Sequence, residues 1–328
     1  MNRQGTTLTR RHAMLGAAIG AGALALARPS ALVAKAPMIG TPAPYFYRFK
    51  LGDAEATIVS DGTLPLGDPS GAFKGLTKED INRQLTDNFL PTANAVLEQN
   101  VLILNTGDRL VLFDTGAGTA KLAGPTTGKL FASMKQAGID PSAIDAVVMS
   151  HPHWDHLGAN CTDDGKPNFP NAQFYISQAD FDFWTEGSKV PKDFAEFVVI
   201  ARKNLLPVRD RLIFYKDGQE FLPGITAMAA PGHTVGHTIF MIQNGNRQLV
   251  YIADMAHHPV LLLEKPLTQF FADTDPAQSA QSRVRHLTML AEKRIPLLAY
   301  HFAWPGIGHV AKQGDGFRYH PEPMKMEM

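Results

Sequence analysis

The chain has 328 residues, 45% of them hydrophobic, with 31 Lys and Arg against 31 Asp and Glu. That describes a globular protein with a sizeable core in one large or two smaller domains, and it excludes the basic field of a nucleic-acid binder. The single cysteine, Cys161, excludes an intramolecular disulfide and reads as a small buried apolar side chain.

Residues 1–36 read as a removable leader. Thr9-Arg-Arg-His-Ala-Met-Leu15 carries a twin arginine, and the Ala/Gly-rich apolar run 14–27 follows. At about 14 residues that run is too short to span a bilayer and suits a signal h-region. The segment resembles a twin-arginine export leader, with small-x-small cleavage sites at Ala34-Lys-Ala36 or Ala25-Leu-Ala27. Losing it removes Arg3, Arg10, Arg11, Arg28 and Lys35 and no acid, which leaves the remainder at −5. The expected partner is the twin-arginine export machinery. The expected location is the periplasm or the medium, with no stable membrane anchoring after processing, and residues 37–328 form the folded domain.

From Tyr45 strands and helices alternate. Residues 45–51 and 56–60 suit a β-hairpin about Gly52-Asp53, ended by Ser60-Asp-Gly-Thr63. A helix over 78–90 is capped by Thr77. Strands follow at 100–104 and 109–113, a helix at 130–137, and a buried strand at 144–149. Further strands are predicted at 174–176, 213–215, 225–228, 238–242, 249–252 and 297–299. Two sheets packed face to face, with helices outside, would bury these runs.

The strand at 144–149 feeds His151-Pro-His-Trp-Asp-His156, which places three imidazoles and a carboxylate within six residues. In extended chain, residues two apart point the same way, so His151 and His153 can grip one ion. Asp155 and His156 fall past the strand end and can face a second. Imidazole nitrogens with carboxylate oxygens suit zinc and similar divalent ions.

This His-x-His-x-Asp-His run resembles the signature of the metallo-β-lactamase superfamily, and the resemblance extends from roughly residue 45 to the C-terminus. The family's remaining ligands are matched in order by His233 in Pro231-Gly-His-Thr-Val-Gly-His237, Asp254 after Leu249-Val-Tyr-Ile-Ala253, and His301 after Pro296-Leu-Leu-Ala-Tyr300. The resemblance implies an α/β (α+β) fold, an αββα four-layer sandwich with a metal site at one edge. It places a first metal on His151, His153 and His233, and a second on Asp155, His156 and His301, with Asp254 bridging. Asp114, in the turn Asp114-Thr-Gly-Ala-Gly118 that the family commonly has beneath its metals, is expected to be a structural acceptor. Two divalent ions about 3.5–4 Å apart would share a hydroxide acidified toward neutrality. Zinc is the first expectation, with manganese, cobalt or iron as alternatives. Asp254, which holds that hydroxide, and Asp155 are the expected catalytic carboxylates, and the reaction is hydrolysis of an ester-like bond in a small molecule.

Within the family, Asp155 and His156 separate the chain from mononuclear persulfide dioxygenases. His153 separates it from flavodiiron proteins, and Asp254, which dinuclear β-lactamases lack, counts against β-lactam hydrolysis as the main activity. Phe270-Phe-Ala-Asp-Thr-Asp-Pro276, the helix around 283–293 and His301-Phe-Ala-Trp-Pro-Gly-Ile-Gly-His309 resemble the methyl-parathion-hydrolase-like branch. That branch implies a homodimer acting on aromatic lactones, aryl esters or aryl phosphotriesters. Acyl-homoserine-lactone lactonases, glyoxalase-II-like thioesterases and β-lactamases are the alternatives among hydrolases, the first disfavoured because Asp254 is followed by Met255-Ala-His-His258 where that group typically has a tyrosine; an iron redox protein or an inactive binding protein are those outside. Trp184 and Phe197 are candidates for an aromatic substrate wall, or for the core, since 194, 197, 198, 201 and 205 have helix-core spacing. His257 or His258 is read as a proton donor near the leaving group or as a surface histidine, with His258 carried as the substrate-binding candidate. His237 and His309 are read as supports for the ligands or as structural.

Overall fold

The structure is a computed structural model that describes residues 45–325 together with 38 and 40. The leader expected at 1–36 lies outside the described residues. Two strands, β1 (Phe46–Leu51) and β2 (Ala54–Gly67), join at the expected Gly52-Asp53 turn. The expected stop at 60–63 is instead a register shift, after which β2 runs on to Gly67. A short β3 (Phe73–Lys74) precedes helix α1 (Lys78–Asp87), where the Thr77 side chain accepts from the Asp80 N–H at 3.1 Å. The helix ends at Asp87 rather than at 90, because Asn88 leaves helical geometry and Phe89 takes φ 59°.

Strands β4 (Ala95–Asn105) and β5 (Leu110–Phe113), helix α2 (Leu130–Gln136), β6 (Ala146–Val148) and the single-turn helix α3 (Trp154–Leu157) follow. Then come β7 (Gln173–Ser177), α4 (Gln178–Glu186), α5 (Ala195–Leu205) and β8 (Leu212–Tyr215). The first sheet runs β1-β2-β4-β5-β6-β7-β8, antiparallel up to β5 and parallel from β5 to β8. The second half supplies β9 (Glu220–Leu222), β10 (Ile225–Ala229), β11 (Thr238–Asn244) and β12 (Arg247–Ala253). After β13 (Gln269–Phe270), which pairs with β3, come α6 (Pro276–Lys293), β14 (Leu297–Ala299), β15 (Ile307–Gln313) and β16 (Gly316–Pro321). The second sheet runs β16-β15-β14-β12-β11-β10-β9. Of these, β9, β15 and β16 are additional to the strands read from sequence.

The layering is the expected αββα sandwich. Helices α2 and α4 pack on the first sheet and α6 on the second. Strand β12 shows why its sequence is an unbroken apolar run. Leu249, Tyr251 and Ala253 face the core between the sheets, with Phe113 and Phe240, while Val250 and Ile252 face Leu287 and Leu290 of α6. With both faces covered, no polar alternation remains.

Beneath the strand ends, Gly116 and Gly118 take left-handed φ of 70° and 57°. A Cβ at Gly116 would run into the Asp61 carboxyl, and one at Gly118 into the Gly158 carbonyl. Asp61 turns in at the β2 irregularity and accepts from the N–H groups of Ala117 (2.8 Å), Gly128 (3.2 Å) and Leu130 (2.8 Å). Asp61→Asn would turn one acceptor into a donor facing these N–H groups. We expect it to cost roughly 2–4 kcal/mol, seen as a lower urea midpoint. An unchanged midpoint would remove Asp61 from this role.

Candidate metal centre

His151 follows β6 just past a bend at Ser150, and His153, in extended geometry, precedes α3. Asp155 and His156 lie on α3 itself, not in an open loop past the strand. The turn of helix swings them away from His151 and His153 and toward the ends of β12 and β14, which deliver Asp254 and His301. Ligand atoms of His151, His153, His233 and Asp254 lie within 4.8 Å of one another, and those of Asp155, His156 and His301 form a second such group. Asp254 faces both. Its Oδ2 is 3.2 Å from His233 Nε2 and 3.6 Å from His151 Nε2; its Oδ1 is 3.1 Å from His156 Nε2 and 3.3 Å from His301 Nε2. All seven side chains are buried.

The imidazoles are held from behind. His151 Nδ1 meets Ser150 Oγ (3.0 Å), His156 Nδ1 meets Asp114 Oδ2 (2.9 Å), His233 Nδ1 meets Asp273 Oδ1 (2.9 Å), and His301 Nδ1 meets the Glu98 carbonyl (2.8 Å). Protons on these Nδ1 atoms leave each Nε2 lone pair aimed at Asp254. Asp114 is the acceptor expected of it, taking Ser150 N–H, Ser150 Oγ–H and Tyr251 O–H, each at 2.8 Å. Gln99 Nε2 donates to Asp155 Oδ2 at 3.3 Å. His237 Nε2 accepts the Asp254 N–H at 3.2 Å, so His237 is a support rather than a ligand.

This donor set fits two divalent cations. His153 Nε2, His156 Nε2 and Asp254 Oδ1 are buried without a hydrogen-bond partner. The Nε2 atoms of His151 and His233 face each other at 3.2 Å with both Nδ1 protons engaged elsewhere, which two lone pairs tolerate only with a cation between them. Burial and neighbouring imidazoles hold His151 and His153 well below the usual histidine range, hence neutral and able to ligate. At His233 burial is outweighed by Asp254 and Asp273, which lift it to about 9. At His156 burial is likewise outweighed, by Asp254, Asp155 and Asp114, and its value rises. The carboxylates demand positive charge, and apart from Arg283 beside Asp273 no Lys or Arg is placed to supply it among the described residues.

The sequence profile of the metallo-β-lactamase superfamily matches residues 95–300, well over half of the chain. The chain belongs to the metallo-β-lactamase superfamily. The N-acyl homoserine lactonase AttM of Agrobacterium fabrum is 29% identical over 203 residues, covering 58% of this chain and 66% of that relative. The match thus spans just under two thirds of that relative's length. Among solved structures, AidC, described as a dizinc quorum-quenching lactonase, superposes with a TM-score of 0.81 at 30% identity over 85% of this chain and 98% of that one. The hydrolase AbOPH superposes with a TM-score of 0.81 at 25% identity, covering 87% and 100%.

In this superfamily member a cavity of about 320 Å³ opens above Asp254. His153, Asp155, His233, His257 and His301 join Asp254 in its floor, and Leu64, Leu66, Leu97, Phe197, Phe270 and Phe271 wall it. Phe197 therefore lines the cavity. Trp184 does not: it is buried behind His153, edge-on at 5.0 Å. His257 and His258 are both buried, which corrects the surface reading. Only His257 reaches the cavity, with Nε2 3.1 Å from Asp254 Oδ2 and its ring stacked on Phe270 at 3.7 Å. His258 points away, its Nδ1 accepting from the N–H groups of Val260 and Leu261. His309 lies 3.5 Å from Glu322, on the far edge of the sandwich. Cys161 is buried, its thiol pushed up to about 11 by burial.

Sequence reading missed Ser150, Gln99, Asp273 and Asp180. Asp180, in the first turn of α4, accepts from the Thr234 hydroxyl (2.7 Å) and the Gly236 N–H (2.9 Å), tying α4 to the loop that carries His233. Burial pushes its carboxyl from 3.8 up to about 7 against those donors. Between about pH 4 and 7 the folded chain keeps a proton that the unfolded chain has released, so stability falls as pH rises through that window and levels off above it. Asp180→Asn lacks this dependence. From about pH 5 to pH 8 its stability relative to wild type should improve by roughly 2–3 kcal/mol, read from urea midpoints. A difference that does not vary with pH would refute a proton held on Asp180.

Proposed function

We propose that this chain is a dinuclear metal-dependent hydrolase that opens lactones bearing an apolar acyl or aryl group, with aryl esters and aryl phosphotriesters as slower substrates of the same site. The observation that carries the reading is the division of Asp254: each carboxylate oxygen faces its own set of imidazoles. Zinc is the metal favoured by the imidazole-rich donor set. Two bound ions would supply a nucleophile at neutral pH and polarise the scissile carbonyl. The chain's own residues do the rest. Asp254 and Asp155 fix the spacing of the two ligand sets. The His257 Nε2–H holds Asp254 Oδ2 and the Gln99 amide holds Asp155 Oδ2, so neither carboxylate is free to swing. The leucine and phenylalanine walls take the apolar part of the substrate and keep bulk water from it. The lactonase names carried by AttM and AidC support the same ring-opening chemistry.

Initial rates decide between substrate classes. An aromatic lactone, an N-acyl homoserine lactone and a nitrophenyl phosphotriester are assayed side by side, with and without chelator. We expect chelator-sensitive lactone rates at least about tenfold above the phosphotriester rate, a gap of roughly 1.4 kcal/mol or more in barrier. The reverse order would mark a specialised phosphotriesterase, and silence on all three would sink the lactonase reading and turn the search to thioesters and β-lactams. We also propose that residues 1–36 direct export to the periplasm and that the mature chain acts as a homodimer. Activity retained in spheroplasts, or a monomer mass by light scattering, would overturn the respective point.

A further inference from the structure

At the opposite edge of the sandwich from the metal centre lies a second cavity, of about 300 Å³. It sits at the start of β12, whose far end delivers Asp254, so it stands on the order of 20 Å from the metal ligands, one seven-residue strand away. Leu51, Leu249, Ile295 and Ile307 are buried beneath it, and the half-buried Phe49 and Pro296 give its floor an apolar surface. Its rim is basic. Lys50 arrives from β1, Arg247 from β12, Lys293 and Arg294 from the end of α6, and Lys325 from the C-terminal segment. The one acidic lining residue, Glu322, lies 3.5 Å from both His309 and Lys325. Among the described residues, Lys50, Arg247, Lys293 and Arg294 have no carboxylate within ion-pair distance.

Cations at a helix C-terminus complement its dipole, which accounts for Lys293 and Arg294. It does not account for Lys50 and Arg247, which two separate strands bring to the same rim. Nor does overall composition, because residues 37–328 carry a net charge of −5. Like charges gathered around a concavity repel one another unless an anion joins them, and the apolar floor offers nothing to a bare inorganic ion. We propose that this basin is a second, non-catalytic binding site for a small organic phosphate, its phosphate held by the Lys50, Arg247 and Arg294 rim and its compact apolar body set against Phe49 and Pro296. Arginine forks suit the phosphate oxygens and the lysine supplies a point charge.

Titration calorimetry of the full chain with phenyl phosphate, at low salt, tests this. A phosphate monoester can also meet the metal centre, so the titration is run on metal-loaded protein, on chelator-dialysed protein and on Asp254→Ala. We expect saturable binding of about one equivalent in the chelator-dialysed protein and in Asp254→Ala, with any second equivalent confined to the metal-loaded form, and the rim binding weakened as salt screens it. It should fall at least about tenfold in the exposed double variant Lys50→Gln/Arg247→Gln, with lactone turnover unchanged, a loss of roughly 1.4 kcal/mol or more. Inorganic phosphate, lacking the apolar body, should bind more weakly. Binding that disappears with the metal yet survives in the double variant would overturn the proposal, as would equal affinity for inorganic phosphate or no saturable binding in any form.

Discussion

Asp254→Ala is expected to empty the site and to lower turnover by at least about a thousandfold, roughly 4 kcal/mol in barrier. The reason is its position between two ligand sets that otherwise share no side chain. Its Oδ2 faces His233 and His151 while its Oδ1 faces His156 and His301, all within 3.6 Å. Without it, two doubly charged ions would stand side by side with no shared anion, and the second set would retain only Asp155, His156 and His301. The backbone there should persist, because the Asp254 N–H donates to His237 and the next carbonyl, that of Met255, accepts from Arg283, neither contact using the lost carboxylate. Metal analysis should therefore fall from about two equivalents to less than one in a chain that still unfolds cooperatively. Asp254→Asn, which keeps the shape and loses the charge, should follow Asp254→Ala. Full metal content with wild-type rates in either variant would overturn the assignment of Asp254 as the shared ligand.

What the sequence disclosed follows from which contacts are local. His151, His153, Asp155 and His156 occupy one short run whose spacing is itself the ligand pattern. Asp254 and His301 each follow an unbroken apolar run that reads as a buried strand, and the family's ligand order then picks them out. The residues that hold the ligands from behind leave no such trace. Asp273 reaches His233 across 40 positions, and Gln99 reaches Asp155 across 56. His257 and His258 are adjacent and identical in type, and only the turn after β12 determines that the first enters the cavity while the second caps the following backbone. Trp184 and Phe197 show the same limit: both sit on helices with core-like spacing, and the α4–α5 packing decides which one reaches the cavity wall. The β15–β16 hairpin was hidden for another reason, since its first strand begins within a Pro-Gly-Ile-Gly run that reads as loop.

Arg283 had a signal that went unused. It lies on the same face of α6 as Ser279, Ala280, Leu287 and Leu290, a cation on a buried stripe. The structure shows what holds it there. Nε donates to the Met255 carbonyl (2.9 Å), Nη1 to those of Pro266 (2.9 Å) and Thr268 (2.7 Å), and Nη2 to Ser279 Oγ (3.3 Å), with Asp273 Oδ2 at 3.9 Å. One guanidinium thus pins the residue after Asp254, the turn leading into β13, and the carboxylate that orients His233. Arg283→Met keeps most of the volume but leaves three buried carbonyls without a donor and Asp273 without its neighbouring charge. Breaking a buried charged network from one side costs roughly 3–5 kcal/mol, so a large drop in the urea midpoint is expected. Metal affinity should fall with it by about 10–100-fold, because His233 loses its fixed backing. Arg283→Lys separates the two effects. A single ammonium keeps the charge near Asp273 but cannot span three carbonyls, so it should recover metal affinity more fully than stability. Equal recovery of both, or a Met variant as stable as wild type, would mean that the segment after Asp254 holds its place without Arg283.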